Sequence, residues 1–204
     1  QQDDVRRLSL WAPHAPPEVG GTGTGFLEYA YLNEQIGRTV WGQLVFGCQA
    51  PDAGNAEILH LFGSGAQKER WLYPLVAGEV RSFFSMTEPE VPGSDPTTLR
   101  TRAVRDGEEW VIDGHKWFSS GAEGAAFGIV MAVTDPAQRT GARVSAFLVD
   151  RGTPGFSVTR VDKTMASDAI KLAELSFENC RVPDSALLGK PGAGFALSME
   201  SLVD

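Results

Sequence analysis

The sequence is poor in the residues from which disulfides and metal sites are built. Its 204 residues include two cysteines and three histidines. Cys48 and Cys180 are far apart, without metal-ligand spacing, and the histidines are equally scattered, so we predict free thiols and no metal site. No apolar run approaches the roughly 20 residues that span a membrane. The segment Gln1–Arg7 lacks the apolar stretch of a signal peptide; we expect a cytoplasmic protein, and a mitochondrial or peroxisomal one only with a targeting segment outside this chain.

Positive charge is also scarce. There are 18 Lys and Arg residues against 26 Asp and Glu, which gives a net charge of −8. This balance argues against a nucleic-acid partner and against insertion into or attachment to an anionic membrane. It does not exclude an anionic ligand, because main-chain N–H groups and a few arginines hold phosphates in acidic proteins.

The first part of the chain has helical patterning. Residues 8–25 are predicted to be irregular because prolines and glycines cluster there. A phosphate loop at Pro17–Gly23 is rejected, since no strand precedes it and no Lys-Ser/Thr follows. Apolar residues at helical spacing come next. We predict four helical segments. The first begins at a Thr24 cap and ends at Gly37, and the second passes through Val40, Trp41 and Leu44. The third begins at an Asn55 cap and ends at Gly63, and the fourth begins at a Ser64–Gln67 capping box and ends at Gly78. The aromatic residues expected to pack between these helices are Trp41, Phe46, Phe62 and Trp71.

After Gly78 the apolar period changes to that of strands. Asp106-Gly107 is a strong signal for a two-residue hairpin turn. The predicted strands are residues 81–87, 100–105, 109–113, 127–134, 144–150, 156–161 and 172–177. Short strands separated by turn signals favour an antiparallel barrel or sandwich. The fold class is therefore α+β, with helices first and a β-domain after them.

One stretch, Phe84–Asp95, combines a strand end with an irregular loop. Pro89, Pro92 and Gly93 break the strand, and such a loop exposes main-chain N–H groups that no strand partner uses. Beside hydroxyl side chains, these groups form a seat for a phosphate or a planar heterocycle. An ordinary connection between domains is the alternative that the loop alone leaves open.

A second stretch, Gly114–Gly121, makes the pattern more specific. The two stretches together resemble the acyl-CoA dehydrogenase family, in which a Thr-Glu-Pro segment ending in Ser-Asp precedes a Gly-x-Lys-x-aromatic-x-Thr/Ser segment. Upstream, Cys48–Asn55 resembles the branch of larger, multidomain members. Further matches in the same order are Phe147-Leu148-Val149, Pro154-Gly155-Phe156, Ala173–Glu178, Arg181-Val182-Pro183 and Gly192–Phe195.

The resemblance implies a three-domain architecture of helices, β-domain and helical bundle. Residues 1–80 would be a partial amino-terminal helical domain, and residues 81–190 the middle β-domain with the flavin and acyl-CoA site. Residues 191–204 would begin the carboxy-terminal helical domain, whose bundle we expect to be absent from this chain. The resemblance also implies a homodimer or homotetramer.

The resemblance further implies FAD-dependent α,β-dehydrogenation of an acyl-CoA thioester, with an electron-transfer flavoprotein or a similar acceptor as partner. The cofactor residues that it implies are Phe84, Ser85, Met86, Thr87, Gly93, Ser94, Phe118, Ser119 and Ser120. Among them, Phe118 would lie against the flavin and Ser120 would bond near its N5 atom. Ser94 and Lys171 are the implied substrate residues, at the mouth of the acyl-CoA groove and near a CoA phosphate respectively.

The sequence departs from the family pattern at two places and lacks one part. Glu90-Val91-Pro92 makes the first loop one residue longer than its commonest form, a length shared with the larger members. Ile170 replaces a serine that often meets the CoA moiety. The family's catalytic glutamate belongs to the missing bundle, so we assign no catalytic base, and neither Glu88 nor Glu174 substitutes for it. We expect this piece alone to be inactive.

Two other functions remain open from the sequence. An acyl-CoA oxidase or a flavin monooxygenase would share the fold and the flavin but let oxygen reach the reduced cofactor. A non-catalytic flavin-binding fragment would share only the binding site.

Overall fold

The computed structural model of the protein describes residues 1–138, 140–163 and 171–200. The chain divides into two compact units, Gln1–Val80 and Arg81–Asp204. The first is built of helices and the second mainly of strands, which confirms the predicted α+β fold class. No helix in these ranges is both long and apolar enough to cross a membrane.

The helical unit begins with α1 (Gln2–Arg7), which the sequence pattern did not predict, and a short 3-10 turn (Pro17–Val19). The Ser64–Gln67 capping box is confirmed, since the Ser64 hydroxyl accepts from the Gln67 N–H and the Gln67 side chain from the Ser64 N–H. The remaining helices are α2 (Phe26–Ile36), α3 (Gly42–Phe46), α4 (Asp52–Phe62), α5 (Gly65–Gln67), a π-helical segment (Lys68–Leu72) and α6 (Tyr73–Ala77).

Further details of the helical unit differ from the prediction, and α3 begins only at Gly42, after Val40 and Trp41. Helix α4 begins three residues before Asn55, whose side chain is buried within the helix instead of capping it. Thr24 does not cap α2, which begins after Gly25 without a side-chain cap. The aromatic residues are not the helical core: Trp41 is 56% exposed and the other three are half-buried. Aliphatic side chains such as Leu59 and Leu72 fill the interior instead.

The second unit contains one mixed eight-stranded sheet. The Asp106-Gly107 hairpin is confirmed, with Gly107 at φ +65° between two antiparallel strands. The strands are β1 (Ser82–Ser85), β2 (Arg102–Asp106), β3 (Glu109–Ser120), β4 (Phe127–Val133), β5 (Val144–Asp150), β6 (Phe156–Asp162), β7 (Leu172–Pro183) and β8 (Leu187–Leu188). A final helix, α7 (Gly194–Glu200), follows them.

The strand order is β6-β7-β3-β2-β4-β5-β8, with β1 added alongside β4. Most pairings are antiparallel, as predicted, but β1 and β2 each run parallel to β4. Strands β3 and β7 are longer than predicted and pair along their whole length, with bulges after Ile112 and Lys116. These long strands carry the second of the two predicted site segments to the end of β1.

Candidate functional site

The two segments that the sequence singled out meet at Thr87 and Trp117. The Trp117 N–H donates to the Thr87 carbonyl oxygen at 3.1 Å, and the Thr87 hydroxyl donates to the Trp117 carbonyl oxygen at 2.8 Å. Thr87 follows β1 and Trp117 lies within β3. The loop after β1 is thus fixed to β3 at the residue for which a flavin contact was predicted.

A second link between the segments is buried. The Ser85 and Ser119 hydroxyl oxygens are 2.8 Å apart and share a hydrogen bond, and both residues are at most 1% exposed. Because successive side chains of a strand point to opposite faces, Phe84 and Ser120 are placed on the other face. Ser85 and Ser119, both predicted to contact the cofactor, therefore have only main-chain atoms to offer a ligand.

A bulge explains the unusual position of Phe118. Three steps along β3, from Lys116 to Ser119, face two steps along β7, from Leu175 to Ala173. Phe118 adopts φ +51° within this bulge, a conformation uncommon for a bulky side chain, and remains 50% exposed. Its ring lies 4.5 Å from that of Trp117. An exposed aromatic ring held in a strained backbone is a feature of binding sites.

The outer face at this point combines apolar walls with unused hydrogen-bonding groups. Phe84 and Met86 are half-buried, and the exposed Phe118 directly precedes Ser119, the hydrogen-bond partner of Ser85. Among the described residues, the half-buried Ser120 hydroxyl and the Thr87 N–H have no hydrogen-bond partner. A planar ring with a polar edge, such as a flavin, needs an apolar wall and a few donors at that edge. The residues present fit such a group.

The loop after Thr87 presents the predicted substrate serine to solvent. Gly93 and Ser94 are exposed, and the Ser94 hydroxyl bonds to no described residue. The neighbouring Asp95 instead closes the turn, accepting from the Thr97 N–H at 3.0 Å. Ser94 is therefore free to meet a ligand from outside.

Lys171, the other predicted substrate residue, is exposed and forms an ion pair with Glu123, with 2.6 Å between Nζ and Oε2. A ligand phosphate would have to compete with this carboxylate. Ile170, where the family serine is missing, lies outside the described residues.

A buried ion pair that the sequence pattern did not predict lies next to the loop after β1. Lys116 is 0% exposed, and its ammonium donates to the Met86 carbonyl oxygen at 2.7 Å and to Glu88 Oε1 at 2.8 Å. The alternation of β3, in which Trp110 and Ile112 face inward, is a signal that would have placed Lys116 inside. A lysine inside a domain requires a partner.

Glu88 completes this network. Its carboxylate accepts from the Arg100 N–H at 2.6 Å and from the Thr101 N–H at 2.9 Å, in addition to Lys116. Burial lowers the pKa of Lys116 to about 8, although the charge of Glu88 opposes this shift. Burial also acts to raise the pKa of Glu88, but the charge and hydrogen bond of Lys116 and the two N–H donors outweigh it and hold the pKa below its usual value.

Glu88→Gln is expected to flatten the acid dependence of stability. A carboxyl whose pKa is lowered by folding contributes stability above its usual pKa of 4.5, and this contribution is lost as the pH falls below it. We expect the variant to be less stable by about 3 kcal/mol at neutral pH, the lower end of the range for removing one partner of a buried ion pair, because Lys116 loses its carboxylate. The difference should shrink at acid pH.

Urea unfolding from neutral pH to below the usual glutamate pKa measures this dependence. Glu108→Gln is the matched control, because Glu108 is exposed beside the hairpin turn. Parallel curves for the wild type and Glu88→Gln would contradict the assignment of Glu88 as an ionised, buried partner.

A surface cluster connects the same loop to β7. His115 Nδ1 lies 3.2 Å from Glu90 Oε1, and its Nε2 lies 2.7 Å from Glu174 Oε1. Arg160 binds the other oxygen of Glu174 at 3.0 Å. Both oxygens of the Glu174 carboxylate are thus engaged, one by His115 and the other by Arg160.

Comparison with known proteins identifies both units. The family model "Acyl-CoA dehydrogenase, N-terminal domain" matches residues 3–79, and "Acyl-CoA dehydrogenase, middle domain" matches residues 83–180. The chain is 40% identical over 226 residues to "Probable acyl-CoA dehydrogenase FadE2" of Mycobacterium tuberculosis, covering 98% of this chain. It is 38% identical over 187 residues to "Acyl-CoA dehydrogenase family member 11" of Mus musculus, covering 89% of this chain.

Among solved structures, "Structure of a putative acyl-CoA dehydrogenase from Mycobacterium abscessus" matches with a TM-score of 0.94 and 42% identity over 98% of this chain. The relatives extend well beyond the matched region. The chain covers 50% of that structure, 55% of the M. tuberculosis protein and 24% of the mouse protein. It therefore spans about half the length of its bacterial relatives and about a quarter of the length of its mouse relative.

Proposed function

Because the chain belongs to the acyl-CoA dehydrogenase family, we propose that it forms the flavin-binding part of an enzyme that removes two hydrogens from the α and β carbons of an acyl-CoA thioester. The observation that supports this most is the outer face beside Thr87 and Trp117. Near this contact the chain carries an exposed aromatic ring, two half-buried apolar side chains, and two polar groups that have no hydrogen-bond partner among the described residues.

FAD is the cofactor of this proposal, and when bound it would accept the hydride from the β carbon. Phe118, Phe84 and Met86 would hold its ring by apolar contact. Ser120 would donate to the ring near N5, where a fixed donor stabilises arriving negative charge. The Thr87 hydroxyl already donates to Trp117, so it has only acceptor capacity left for the polar edge of the ring.

Ser94 would meet the acyl-CoA from the exposed loop, and Lys171 would attract a CoA phosphate if it left Glu123. The chain itself supplies no base for the α proton in this proposal. A glutamate in the part of the relatives beyond the matched region would take that role, with an electron-transfer flavoprotein or a similar acceptor removing the electrons.

The proposal is tested by anaerobic mixing of acyl-CoA substrates with a full-length protein, in which this chain is joined to the part that its relatives carry beyond the matched region. We expect most of the absorbance of the oxidised flavin to disappear, an α,β-unsaturated thioester to form, and the reduced flavin to persist when air is admitted. A flavin that stays oxidised with short, long and branched acyl-CoA would contradict the proposal. Rapid reoxidation in air would favour an acyl-CoA oxidase instead.

A further inference from the structure

The ammonium of Lys116 is enclosed in the β-domain although nothing in the proposed reaction uses it. Its side chain is fully buried, and removing a charge from water costs several kcal/mol unless hydrogen bonds compensate. Two of its bonds reach the loop after β1: one to the Met86 carbonyl oxygen and one to the Glu88 carboxylate. The lysine thus binds the loop at Met86 and Glu88, the two residues that flank Thr87.

The bond to Met86 fixes the direction of the Thr87 N–H. The Met86 carbonyl and the Thr87 N–H belong to the same peptide group, and in a planar trans peptide they point in opposite directions. Because the carbonyl oxygen faces Lys116 at 2.7 Å, the N–H faces away from it. No described residue accepts this N–H.

The other groups of Thr87 are also held in place. Its carbonyl oxygen accepts from the Trp117 N–H, and its hydroxyl donates to the Trp117 carbonyl oxygen. The peptide group before Thr87 is held by Lys116 and the one after it by β3. The Thr87 N–H is the one main-chain group of this residue left for a ligand.

Glu88 keeps Lys116 in position. Its carboxylate is 1% exposed and joins the lysine to the N–H groups of Arg100 and Thr101, which precede β2. A continuous series of hydrogen bonds therefore runs from the residues before β2, through Glu88 and Lys116, to the Met86 peptide. An ammonium bound to a carbonyl also polarises the peptide, which makes its N–H a stronger donor.

We propose that Lys116 and Glu88 are positioning residues that aim the Thr87 N–H at an acceptor on the polar edge of the bound flavin. This inference rests on the proposed function for the presence of the flavin. Neither residue touches the reacting atoms. They act through the Met86–Thr87 peptide, and the donor that they orient favours the reduced, more negative form of the cofactor.

The test uses the flavin-loaded full-length protein and the double variant Lys116→Met/Glu88→Gln. Removing both charges together avoids an uncompensated buried charge, so the variant is expected to fold. We expect its dissociation constant for FAD to rise about tenfold, or about 1.4 kcal/mol. We also expect a lower flavin reduction potential and faster hydrogen exchange of the Thr87 amide. Arg181→Met/Glu109→Gln, which removes an exposed ion pair, is the matched control and should change none of these.

The outcomes separate the inference from the proposed function. A wild-type protein that holds no flavin overturns both. If the wild type holds flavin and the double variant folds with the same affinity, potential and amide exchange, the pair is structural only and the positioning role is wrong. If the double variant does not fold, Lys116→Arg replaces it: this change keeps a cationic donor, and a Thr87 amide that is no less protected there supports the inference, whereas loss of that protection contradicts it.

Discussion

Replacement of Phe83 by alanine is expected to lower the free energy of unfolding by about 3–5 kcal/mol, the range for deletion of a buried phenylalanine ring. Phe83 is 1% exposed, and its ring stacks on Phe156 with 5.5 Å between centroids. It also covers Gly128, its partner in the neighbouring strand β4, where even a Cβ atom would come within 2.3 Å of the ring. Because Gly128 has no side chain to move into the space, the variant retains most of the cavity.

Phe84→Ala is the matched control, since the neighbouring ring lies on the opposite, half-buried face of the same strand. It should cost less than about 2 kcal/mol of stability, because only part of its apolar surface is buried, yet weaken flavin retention. Chemical unfolding of both variants, with gel filtration to measure retained flavin, distinguishes the two faces. Equal losses of stability would show that the assignment of faces along β1 is wrong.

Local chemistry made much of the fold predictable. Strand β5 has the predicted bounds, and the Asp106-Gly107 turn and the Ser64–Gln67 capping box form as expected. In each case the signal lies within a few neighbouring residues: a short, mostly apolar run between turn signals, a glycine with positive φ, or a reciprocal pair of hydrogen bonds. Such signals do not depend on the rest of the chain.

Features set by distant residues were not predictable in the same way. The parallel pairing of β1 with β4 depends on which strands become neighbours. The predicted strand at 109–113 continues to Ser120 because β7 supplies a partner along its whole length, across bulges that interrupt the apolar alternation. The start of α4 at Asp52, ahead of Asn55, likewise reflects burial of Asn55 within the unit.

The candidate site also combines features that the sequence predicts with features that depend on distant residues. Its residue types could be predicted from the resemblance, but not the side to which each one points. Ser85 and Ser119 were predicted to contact the cofactor together with Phe84 and Ser120. In the structure the two buried serine hydroxyls are instead hydrogen-bonded to each other. The three-residue step from Lys116 to Ser119 across the bulge determines this outcome.

The second large effect is expected from Ser120→Ala in the full-length, flavin-loaded protein. If its unbonded hydroxyl donates near the flavin N5, the variant loses a hydrogen bond worth roughly 1.5–3 kcal/mol when the acceptor is charged. The flavin reduction potential should fall, and reduction by substrate should slow on the order of tenfold for each ~1.4 kcal/mol lost in the transition state. Stability should change little, because this hydroxyl holds no other part of the described chain.

Ser119→Ala is its matched control, with the opposite expectation. It leaves the Ser85 hydroxyl buried without its partner, which should cost about 1–3 kcal/mol of stability and leave the potential nearly unchanged. The flavin reduction potential of these two variants, measured beside the wild type, tests the placement of the flavin most directly. We predict a lower potential for Ser120→Ala alone; an unaltered potential in Ser120→Ala, together with a lowered melting temperature, would contradict the flavin site on this face.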